Sequence, residues 1–353
     1  MAELLVTGGA GFIGANFVHF WRARHPEDSI TVLDLLTYAG NPANIADVPD
    51  VELIAGDILD TALVERLLRE RGIDTIVHFA AESHVDRSIS GPDAFISTNV
   101  LGTHSLLKAA RTVWLLEGSG RPHRFHHVST DEVYGSLNPE DPAFSETTPY
   151  APNSPYSASK AGSDHLVRAY HHTFGLQTTS SNCSNNYGPY QFPEKLIPLF
   201  LINCLEGRNL PIYGDGMNVR DWLHVEDHCY GIERVIEDGR AGEMYNIGGG
   251  AELPNMTVID EICAAVDEAF AQRPELAKRF PDAPASRGVP STSLKSFVTD
   301  RAGHDRRYAI DCSKIESELG YSPRRSFAEG FAQTLTWYLD NEEWWRPLLA
   351  RRG

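Results

Sequence analysis

The chain contains 353 residues, of which 42% are hydrophobic and 22% are charged, and it carries a formal net charge of −17. This length allows one large domain or two smaller ones with real cores, and the composition is ordinary for a globular protein. The acidic balance argues against nucleic acid as a partner, and no apolar run is long enough to span a membrane. An anionic substrate would therefore be held by a few local arginines or lysines.

The cysteines lie far apart and form no Cys-x-x-Cys motif: Cys183, Cys204, Cys229, Cys263 and Cys312. Their odd number and scatter favour reduced thiols over disulfides or a zinc site. The first residues run directly into an apolar stretch without a basic leader. We therefore predict a cytoplasmic protein with no signal peptide and no metal.

The N-terminal region carries a dinucleotide fingerprint. A strand-like run is followed by three glycines at Gly8, Gly11 and Gly14 and then by a predicted helix. Glycines permit a tight turn, the close approach of a pyrophosphate and the packing of helix on strand. A second strand ends at Asp34, whose carboxylate can bond ribose hydroxyls and would repel a 2′-phosphate. The pattern predicts NAD, and the alternative is a glycine-rich turn beside a solvated aspartate.

Candidate nucleotide contacts follow the third and fourth predicted strands. Asp57 either bonds the adenine edge or caps the next helix. The small residues Ala80 and Ala81 let a nucleotide approach closely. His84 lies just beyond them; it either touches the substrate or, as we favour, is a buried structural histidine.

A polar stretch with candidate catalytic side chains follows the next strand, predicted at 125–128. It contains Thr130, Asp131 and Glu132. Because ligands bind at the carboxyl ends of strands in open parallel sheets, this hydroxyl and these two carboxyls are candidates for a site. Two adjacent carboxyls near one substrate repel, which raises one pKa and separates an acid from a base. The alternative is a solvated turn after a strand.

Tyr156 and Lys160 lie four residues apart on a helix predicted at 156–174, so they share one face. A free phenol has a pKa of about 10 and is a poor base near neutral pH. A neighbouring ammonium favours the phenolate and lowers that pKa. The pair therefore predicts a Tyr/Lys base.

Alternating strands and helices predict an α/β fold: a Rossmann-type doubly wound parallel sheet with a smaller C-terminal α/β substrate domain. We place an NAD-binding domain with the catalytic residues at 1–186 and the second domain at 187–353, with the chain crossing between them more than once. A long helix is predicted at 93–116. The Pro- and Ser-containing segment 274–296 is predicted to be an extended surface insertion.

Several longer motifs carry a family resemblance. They include Tyr156-x-x-x-Lys160, the run from Ser184 to Pro189, the run from Arg220 to Val225, the run from Ala81 to Ser88, the run from Phe192 to Pro198, and the run from Asp300 to Tyr308. With the glycine motif and Thr130-Asp131-Glu132, the chain resembles the extended short-chain dehydrogenase/reductases that act on nucleotide sugars. Among these it is most similar to the dTDP-glucose 4,6-dehydratase family, from about residue 4 to 345. Ala302 departs from the proline that is usual in the family.

The resemblance implies a hydro-lyase that converts dTDP-glucose to dTDP-4-keto-6-deoxyglucose and feeds the synthesis of deoxysugars such as rhamnose. Tyr156, supported by Lys160, would take the C4 hydroxyl proton as hydride passes to NAD⁺, and Thr130 would bond the C4 oxygen. Glu132 would remove the C5 proton and Asp131 would protonate the departing C6 hydroxyl. Hydride would then return to C6.

The resemblance also implies which residues contact the ligands. The cofactor would be contacted by Gly8, Gly11, Phe12, Ile13, Gly14, Asp34, Thr37, Asp57, Ile58, Ala80, Ala81, Ser83, Thr98, Tyr156, Lys160 and Asn186. The sugar nucleotide would be contacted, mainly from the second domain, by Ser83, Thr130, Asn185, Lys195, Leu196, Pro211, Tyr213, Arg220, Asn255, Arg301 and His304. Arg220 and Arg301 would clamp the diphosphate, because guanidinium groups pair bidentately with phosphate oxygens. Arg306 and Arg307 either face the substrate or form surface ion pairs.

The sequence also allows other functions on the same fold. A 4-epimerase needs only the Tyr/Lys base and a Thr or Ser, and a decarboxylase of the superfamily usually has Ser at the Asp131 position. A non-catalytic NAD-binding regulator could use the same fold. The joint presence of Thr130, Asp131, Glu132, Tyr156 and Lys160 argues against the regulator.

Two further expectations concern surfaces. Relatives pair the helices equivalent to 93–116 and 156–174, which predicts a homodimer, although the apolar stripe on the second helix is also compatible with core packing. That stripe consists of Leu166, Val167, Tyr170 and Phe174. Adjacent histidines, 126–127 and 171–172, point apart on a strand or helix, so we interpret them as structural or surface residues rather than metal ligands.

Overall fold

The computed structural model describes residues 2–118, 120–300 and 303–350. Its strands are β1 Glu3–Thr7, β2 Ser29–Asp34, β3 Val51–Ala55, β4 Thr75–His78, β5 Arg124–Thr130, β6 Thr178–Cys183, β7 Asn185–Tyr187, β8 Leu210–Tyr213, β9 Val219–His224, β10 Met244–Ile247, β11 Glu252–Pro254 and β12 Lys295–Val298. Its helices are α1 Phe12–Arg24, α2 Thr61–Glu70, α3 Val85–Ser90, α4 Asp93–Phe95, α5 Thr103–Ala110, α6 Pro155–Phe174, α7 Leu196–Leu205, α8 Val225–Asp238, α9 Asn255–Gln272, α10 Leu276–Arg279, α11 Ser313–Leu319, α12 Phe327–Asp340 and α13 Glu342–Leu349.

The main sheet contains seven strands in the order β10-β6-β5-β4-β1-β2-β3, and every neighbouring pair is parallel. The strand order reverses between β1 and β4, which is where open α/β sheets leave a crevice for a ligand. Helices cover both faces of the sheet, with α1 and α8 packing together on one face and α2, α5 and α6 on the other. The predicted doubly wound α/β fold is confirmed.

Continuous apolar runs explain why these strands form. A parallel sheet covered on both faces has no solvent face, so its strands are hydrophobic throughout instead of alternating. Leu4 to Val6 in β1 and Ile30 to Leu33 in β2 are buried along their whole length. Phe17 and Trp21 of α1 pack on one face of the sheet, and Leu106 of α5 packs on the other.

The second half of the chain builds smaller sheets over the carboxyl edge of the first. β11, β9 and β7 form one sheet, and β12 pairs with β8 in parallel. α7 is apolar on nearly every side and lies buried among α9, α12 and α13. β10, however, returns to the main sheet beside β6. The boundary at residue 186 stays a prediction.

The predicted helix at 93–116 is continuous but not uniformly α-helical. It begins as α4, and the segments Ile96–Gly102 and Arg111–Leu116 on either side of α5 are π-helical. Such segments widen a helix and are frequent at functional sites. Among the described residues, no helix is both long and apolar enough to cross a bilayer.

The prediction that 274–296 is a surface insertion is wrong. Leu276, Phe280 and Ala283 are almost fully buried in the core of the second half, where the Phe280 ring stacks on that of Trp345. The prolines and serines of the segment turn the backbone while these apolar side chains point inward.

We expect Phe280→Ala to lower the free energy of unfolding by about 3–5 kcal/mol, because a buried aromatic ring is replaced by a cavity. Urea denaturation followed by fluorescence measures this loss. Val289→Ala in the same segment is the control, because that side chain is exposed and its truncation should change stability by no more than about 0.5 kcal/mol. Equal small effects for the two variants would show that the segment is peripheral.

Candidate active site

A cleft of about 510 Å³ lies at the carboxyl ends of the main-sheet strands, beneath the elements of the second half. Its walls include all of the residues predicted to contact the cofactor and all of the predicted catalytic residues. Of the predicted substrate residues, ten line the same cleft: Ser83, Thr130, Asn185, Lys195, Leu196, Pro211, Tyr213, Arg220, Asn255 and His304. Arg301 and Ala302 lie outside the described residues. The structure thus gathers residues from distant parts of the sequence into one cavity.

The glycine turn leaves no room for side chains. Gly8 has a φ of +71°, and a Cβ atom there would lie 2.6 Å from the backbone nitrogen of Ala80. A Cβ atom at Gly14 would lie 2.3 Å from the carbonyl oxygen of Gly8. These positions need glycine for the turn and for the packing of α1, and they leave backbone exposed to a ligand.

Two acidic side chains flank this turn. The Asp34 carboxylate accepts hydrogen bonds from the backbone N–H of Ala10 at 3.0 Å and of Leu36 at 2.8 Å, which fix its position at the cleft wall. Asp57 also lines the cleft, and its side chain accepts from the backbone N–H of Leu59. Its alternative role as the cap of α2 is wrong, because Asp60 caps that helix.

The Thr130-Asp131-Glu132 stretch forms the turn that ends β5. The Thr130 hydroxyl accepts from the backbone N–H of Glu132 at 3.3 Å and donates to Asp131 Oδ1 at 3.4 Å. Asp131 is 2% exposed, whereas Glu132 is partly open to the cleft. Burial, followed by the charges of Glu132 and Asp221, raises the pKa of Asp131 well above its ordinary value. The turn therefore presents a carboxylic acid and a second carboxyl group side by side.

Tyr156 and Lys160 lie in the first turns of α6, which a capping box between Ser154 and Ser157 begins. Lys160 Nζ donates to the carbonyl oxygen of Val128 at 2.8 Å, so the helix is tied to β5. Burial and the charge of Glu132 raise the pKa of Tyr156 well above 10. The net shift is therefore opposite in direction to the predicted lowering, because burial and the charge of Glu132 dominate.

A buried polar network beneath Lys160 was missed by the sequence analysis. Asp164 Oδ2 accepts from the hydroxyls of Ser129 and Tyr150, both at 2.9 Å. Its Oδ1 lies 3.1 Å from Nε2 of His127. Burial raises the pKa of Asp164 to about 6, although the charge of Lys160 opposes the rise. The available signal was spacing, because Asp164 lies one helical turn beyond Lys160 on the same face.

Several buried polar atoms of the cleft have no hydrogen-bond partner within the described part of the chain. They include Asp131 Oδ2, Asn185 Oδ1, Gln191 Oε1, Trp222 Nε1 and Asn255 Oδ1. Buried polar groups are nearly always satisfied, because leaving them unpaired is costly. Their concentration in one cavity indicates a binding site for a polar ligand.

The predicted arginines divide into one that lines the cleft and two that form ion pairs outside it. Arg220 is buried, donates to the carbonyl oxygens of Val219 and Asp305, and lines the cleft. Arg306 and Arg307 instead form ion pairs with Asp215 and Glu252, as one of the two alternatives predicted.

The adjacent histidines are structural. His126 bonds Thr179 and Ser181 of the neighbouring strand, and His171 bonds the carbonyl oxygen of Leu176. His84 has a structural role, because its Nδ1 accepts from the backbone N–H of Arg87 and caps α3, but the prediction that it is buried is wrong, since its partly exposed ring lines the cleft.

The whole chain is similar in sequence to a family of known enzymes. The chain matches the family described as GDP-mannose 4,6 dehydratase over residues 5–334. It is 54% identical to a dTDP-glucose 4,6-dehydratase of Xanthomonas campestris pv. campestris, covering 99% of this chain and 96% of the relative. The chain belongs to the dTDP-glucose 4,6-dehydratase family. A second member, from Escherichia coli K12, is 49% identical over 97% of this chain and 94% of the relative.

Solved structures agree with this membership. The dTDP-glucose 4,6-dehydratase of Streptomyces venezuelae, solved with NAD and dTDP bound, is 50% identical, covers 98% of this chain and 99% of its own, and superposes with a TM-score of 0.87. A UDP-glucose 4-epimerase of Thermus thermophilus, solved with NAD, shares the fold with a TM-score of 0.81 but only 28% identity, at 96% and 99% coverage. The fold is common to both enzymes, whereas the sequence is much closer to the dTDP-glucose 4,6-dehydratase family.

We expect Asp164→Ala to lower the free energy of unfolding by about 3 kcal/mol or more, because it removes a buried charge and leaves three polar side chains without their acceptor. Chemical denaturation at neutral pH measures the loss. Asp238→Ala is the control, since that exposed carboxylate pairs with Arg234 on the surface and should contribute less than about 1 kcal/mol. A small effect for Asp164→Ala would mean that water replaces the carboxylate.

Proposed function

We propose that the protein converts dTDP-glucose to dTDP-4-keto-6-deoxyglucose with NAD as its resident cofactor. The observation that carries this proposal is the Asp131–Glu132 pair, in which a buried carboxyl with a raised pKa adjoins a more accessible one. Elimination of water needs an acid and a base near one substrate, and this turn supplies both. Family membership at about 50% identity over nearly the whole chain supports the same reaction.

The residues of the glycine turn fit NAD. Gly8 and Gly14 leave exposed backbone at the N-terminus of α1, which suits a pyrophosphate. The buried Asp34 carboxylate suits ribose hydroxyls and opposes a 2′-phosphate, which favours NAD over NADP. When bound, NAD⁺ supplies the hydride acceptor for C4 and, once reduced, the hydride for C6.

The first proton transfer belongs to Tyr156. Its phenol and the Thr130 hydroxyl both line the cleft, and Thr130 acts to lower the pKa of the phenol, so we place the C4 oxygen of the sugar between these two hydroxyls. Lys160 holds a positive charge beneath them and is anchored to Val128. Together with the positive nicotinamide, that ammonium favours the phenolate that accepts the proton.

Elimination then uses the two carboxyls in different states. Once C4 is a ketone, the C5 proton is acidic and Glu132 takes it as a base. Asp131 donates its proton to the C6 hydroxyl, which leaves as water. Burial favours the protonated form of Asp131, which the donor role requires, and the charge of Glu132 acts in the same direction. An epimerase would need Tyr156 and Thr130 but would have no use for this acid.

The nucleotide portion belongs with the second half of the chain. We propose that Arg220 pairs with the diphosphate and that Pro211 and Tyr213 contact the base, since all three line the cleft and belong to the second half of the chain. Residues 1–186 would then carry NAD and catalysis, and 187–353 would carry most contacts to the nucleotide.

The scattered reduced thiols favour a cytoplasmic setting.

The enzyme acts, we propose, as a homodimer. Leu101 and Leu116 on the helix at 93–116 are more than half exposed, and Phe174 at the end of α6 is also exposed. Val167 and Tyr170 are buried, so the core-packing alternative holds for that part of the stripe. The exposed apolar positions of the two helices would meet those of a second copy.

Asp131→Asn and Glu132→Gln should each slow dehydration by about 10²–10⁴-fold, because each variant loses proton transfer but keeps size and hydrogen bonding. Both should still form bound NADH from dTDP-glucose, detected by the absorbance of the reduced nicotinamide. Glu132→Gln should also stop exchange of the C5 proton with solvent deuterium. Asp238→Asn, on the surface of α8, is the control and should match the wild type.

The pH dependence separates the roles further. Because Asp131 acts as an acid with a raised pKa, elimination should slow as the pH rises through that pKa, and this decline should vanish in Asp131→Asn. Wild-type rates in both variants would reject the carboxyl pair as the elimination machinery.

Sedimentation at micromolar concentration should find a dimer. Leu101→Glu should weaken it by about tenfold or more, because a charge would enter an apolar contact. Val289→Glu, at an exposed apolar position outside these helices, should leave the dimer intact. A wild-type protein that sediments only as a monomer would rule the proposal out.

A further inference from the structure

Three chain segments that are distant in sequence meet across the cleft. The segment 35–40 follows β2, the segment 82–87 follows β4, and the segment 191–195 comes from the second half. Strands β2 and β4 lie on opposite sides of β1 in the sheet. A contact between the first two segments therefore passes over the glycine turn that follows β1.

The contacts between these segments centre on Glu194. The Tyr38 hydroxyl donates to Glu194 Oε1 at 3.0 Å. Arg87 Nη2 and His84 Nε2 each lie 3.7 Å from Glu194 Oε2. The Arg87 guanidinium carbon lies 3.8 Å from the centroid of the Tyr38 ring, which it covers. Tyr38, Arg87 and Glu194, here called the clasp, thus join all three segments through one carboxylate.

The environment of the clasp strengthens these contacts. The Glu194 side chain is only 11% exposed, so water screens its charge poorly. The Tyr38 and Phe192 rings meet in a T-shaped arrangement at a centroid separation of 5.4 Å, which adds an apolar contact between the same segments. Lys195 Nζ also donates to the carbonyl oxygen of Ser83 at 2.9 Å, which ties the segments at 82–87 and 191–195 a second time.

Strained backbone lies close to the clasp in the loop after β2 and in the residue that precedes the segment 191–195. Leu36 has a φ of 55° and Tyr190 a φ of 63°, values that bulky residues rarely adopt. Such strain persists only where surrounding contacts enforce it, and it is common at ligand clamps. The backbone N–H of Leu36 is held by Asp34, and Tyr38 lies two residues further along the same loop.

We propose that the clasp is a cofactor-retention device and that Glu194 is its central positioning residue. This inference rests on the proposed function, in which NAD regains its initial state each turnover and has no need to leave. A dinucleotide seated on the glycine turn would have the clasp across its path between the loops after β2 and β4. Opening the clasp would let the cofactor enter and leave faster without changing the groups that bind it.

The test measures cofactor exchange directly in the full-length protein. Wild type, Glu194→Ala and Tyr38→Phe are loaded with NADH, and the loss of its bound fluorescence is followed after a chase with excess NAD. We expect NADH to dissociate about tenfold faster or more from Glu194→Ala, because a hydrogen bond to a charged group and its ion pairs are lost. Tyr38→Phe keeps the ring on Arg87 and loses only the hydroxyl bond, so a smaller increase of about threefold is expected.

The association rate separates a clasp from simple damage to the site. Removing a barrier should raise the association rate as well as the dissociation rate, whereas a distorted site would dissociate faster and associate no faster. Glu243→Gln is the matched control, because Glu243 pairs with Lys314 away from the cleft, and its exchange should equal that of the wild type.

The exchange rates of the variants distinguish the clasp from the cofactor assignment. Faster exchange in both directions in the two clasp variants, with an unchanged control, supports the clasp. Wild-type exchange in both variants, or faster dissociation without faster association, overturns it while leaving NAD as the cofactor. Failure of the wild-type protein to bind NADH and NAD would overturn the cofactor assignment itself, and with it the clasp. If Glu194→Ala does not fold, Tyr38→Phe alone decides between the first two results.

Discussion

The charge of Lys160 is buried at the foot of the cleft, and much of the site depends on how it is compensated. An unpaired ammonium in an apolar interior is very costly, so its neighbours must be placed with little freedom. The carbonyl oxygen of Val128 accepts a hydrogen bond from the ammonium, and Asp164 supplies the counter-charge. Because Val128 belongs to β5 and Asp164 to α6, this compensation fixes the helix against the strand. It thereby sets the position of Tyr156 relative to the turn at Thr130.

Polar groups elsewhere in the cleft also carry a cost in stability that the rest of the fold offsets. Several buried amide and carboxyl oxygens of the cleft have no hydrogen-bond partner among the described residues, which lowers stability at the place where we expect the ligand to bind. The large apolar cores on both sides of the cleft offset that cost. A site whose polar groups are already oriented loses less free energy to reorganisation when a polar ligand arrives.

Much of this architecture could be predicted from the sequence, because the relevant signals are local. Continuous apolar runs predict parallel strands, glycine spacing predicts the turn at Gly8 to Gly14, and strand ends predict where Thr130, Asp131 and Glu132 lie. The failures have a different origin. The pKa of Tyr156 depends on burial, which spacing does not report. The inward direction of Leu276 and Phe280 depends on how 274–296 folds back on the core. The contact between Tyr38 and Glu194 joins residues that only the tertiary fold brings together.

The return of β10 to the main sheet has an evolutionary consequence. Because Met244–Ile247 pairs with β6, the C-terminal half supplies an edge strand to the sheet whose other strands carry the cofactor turn and the catalytic residues. A recombination event that exchanged the C-terminal half as a block would therefore also replace that edge strand and the helix α8 that packs beside it. The replacement strand would have to pair with β6, and the replacement helix would have to pack on α1, for the main sheet to remain intact. The connectivity of the chain thus favours divergence by gradual substitution over modular shuffling.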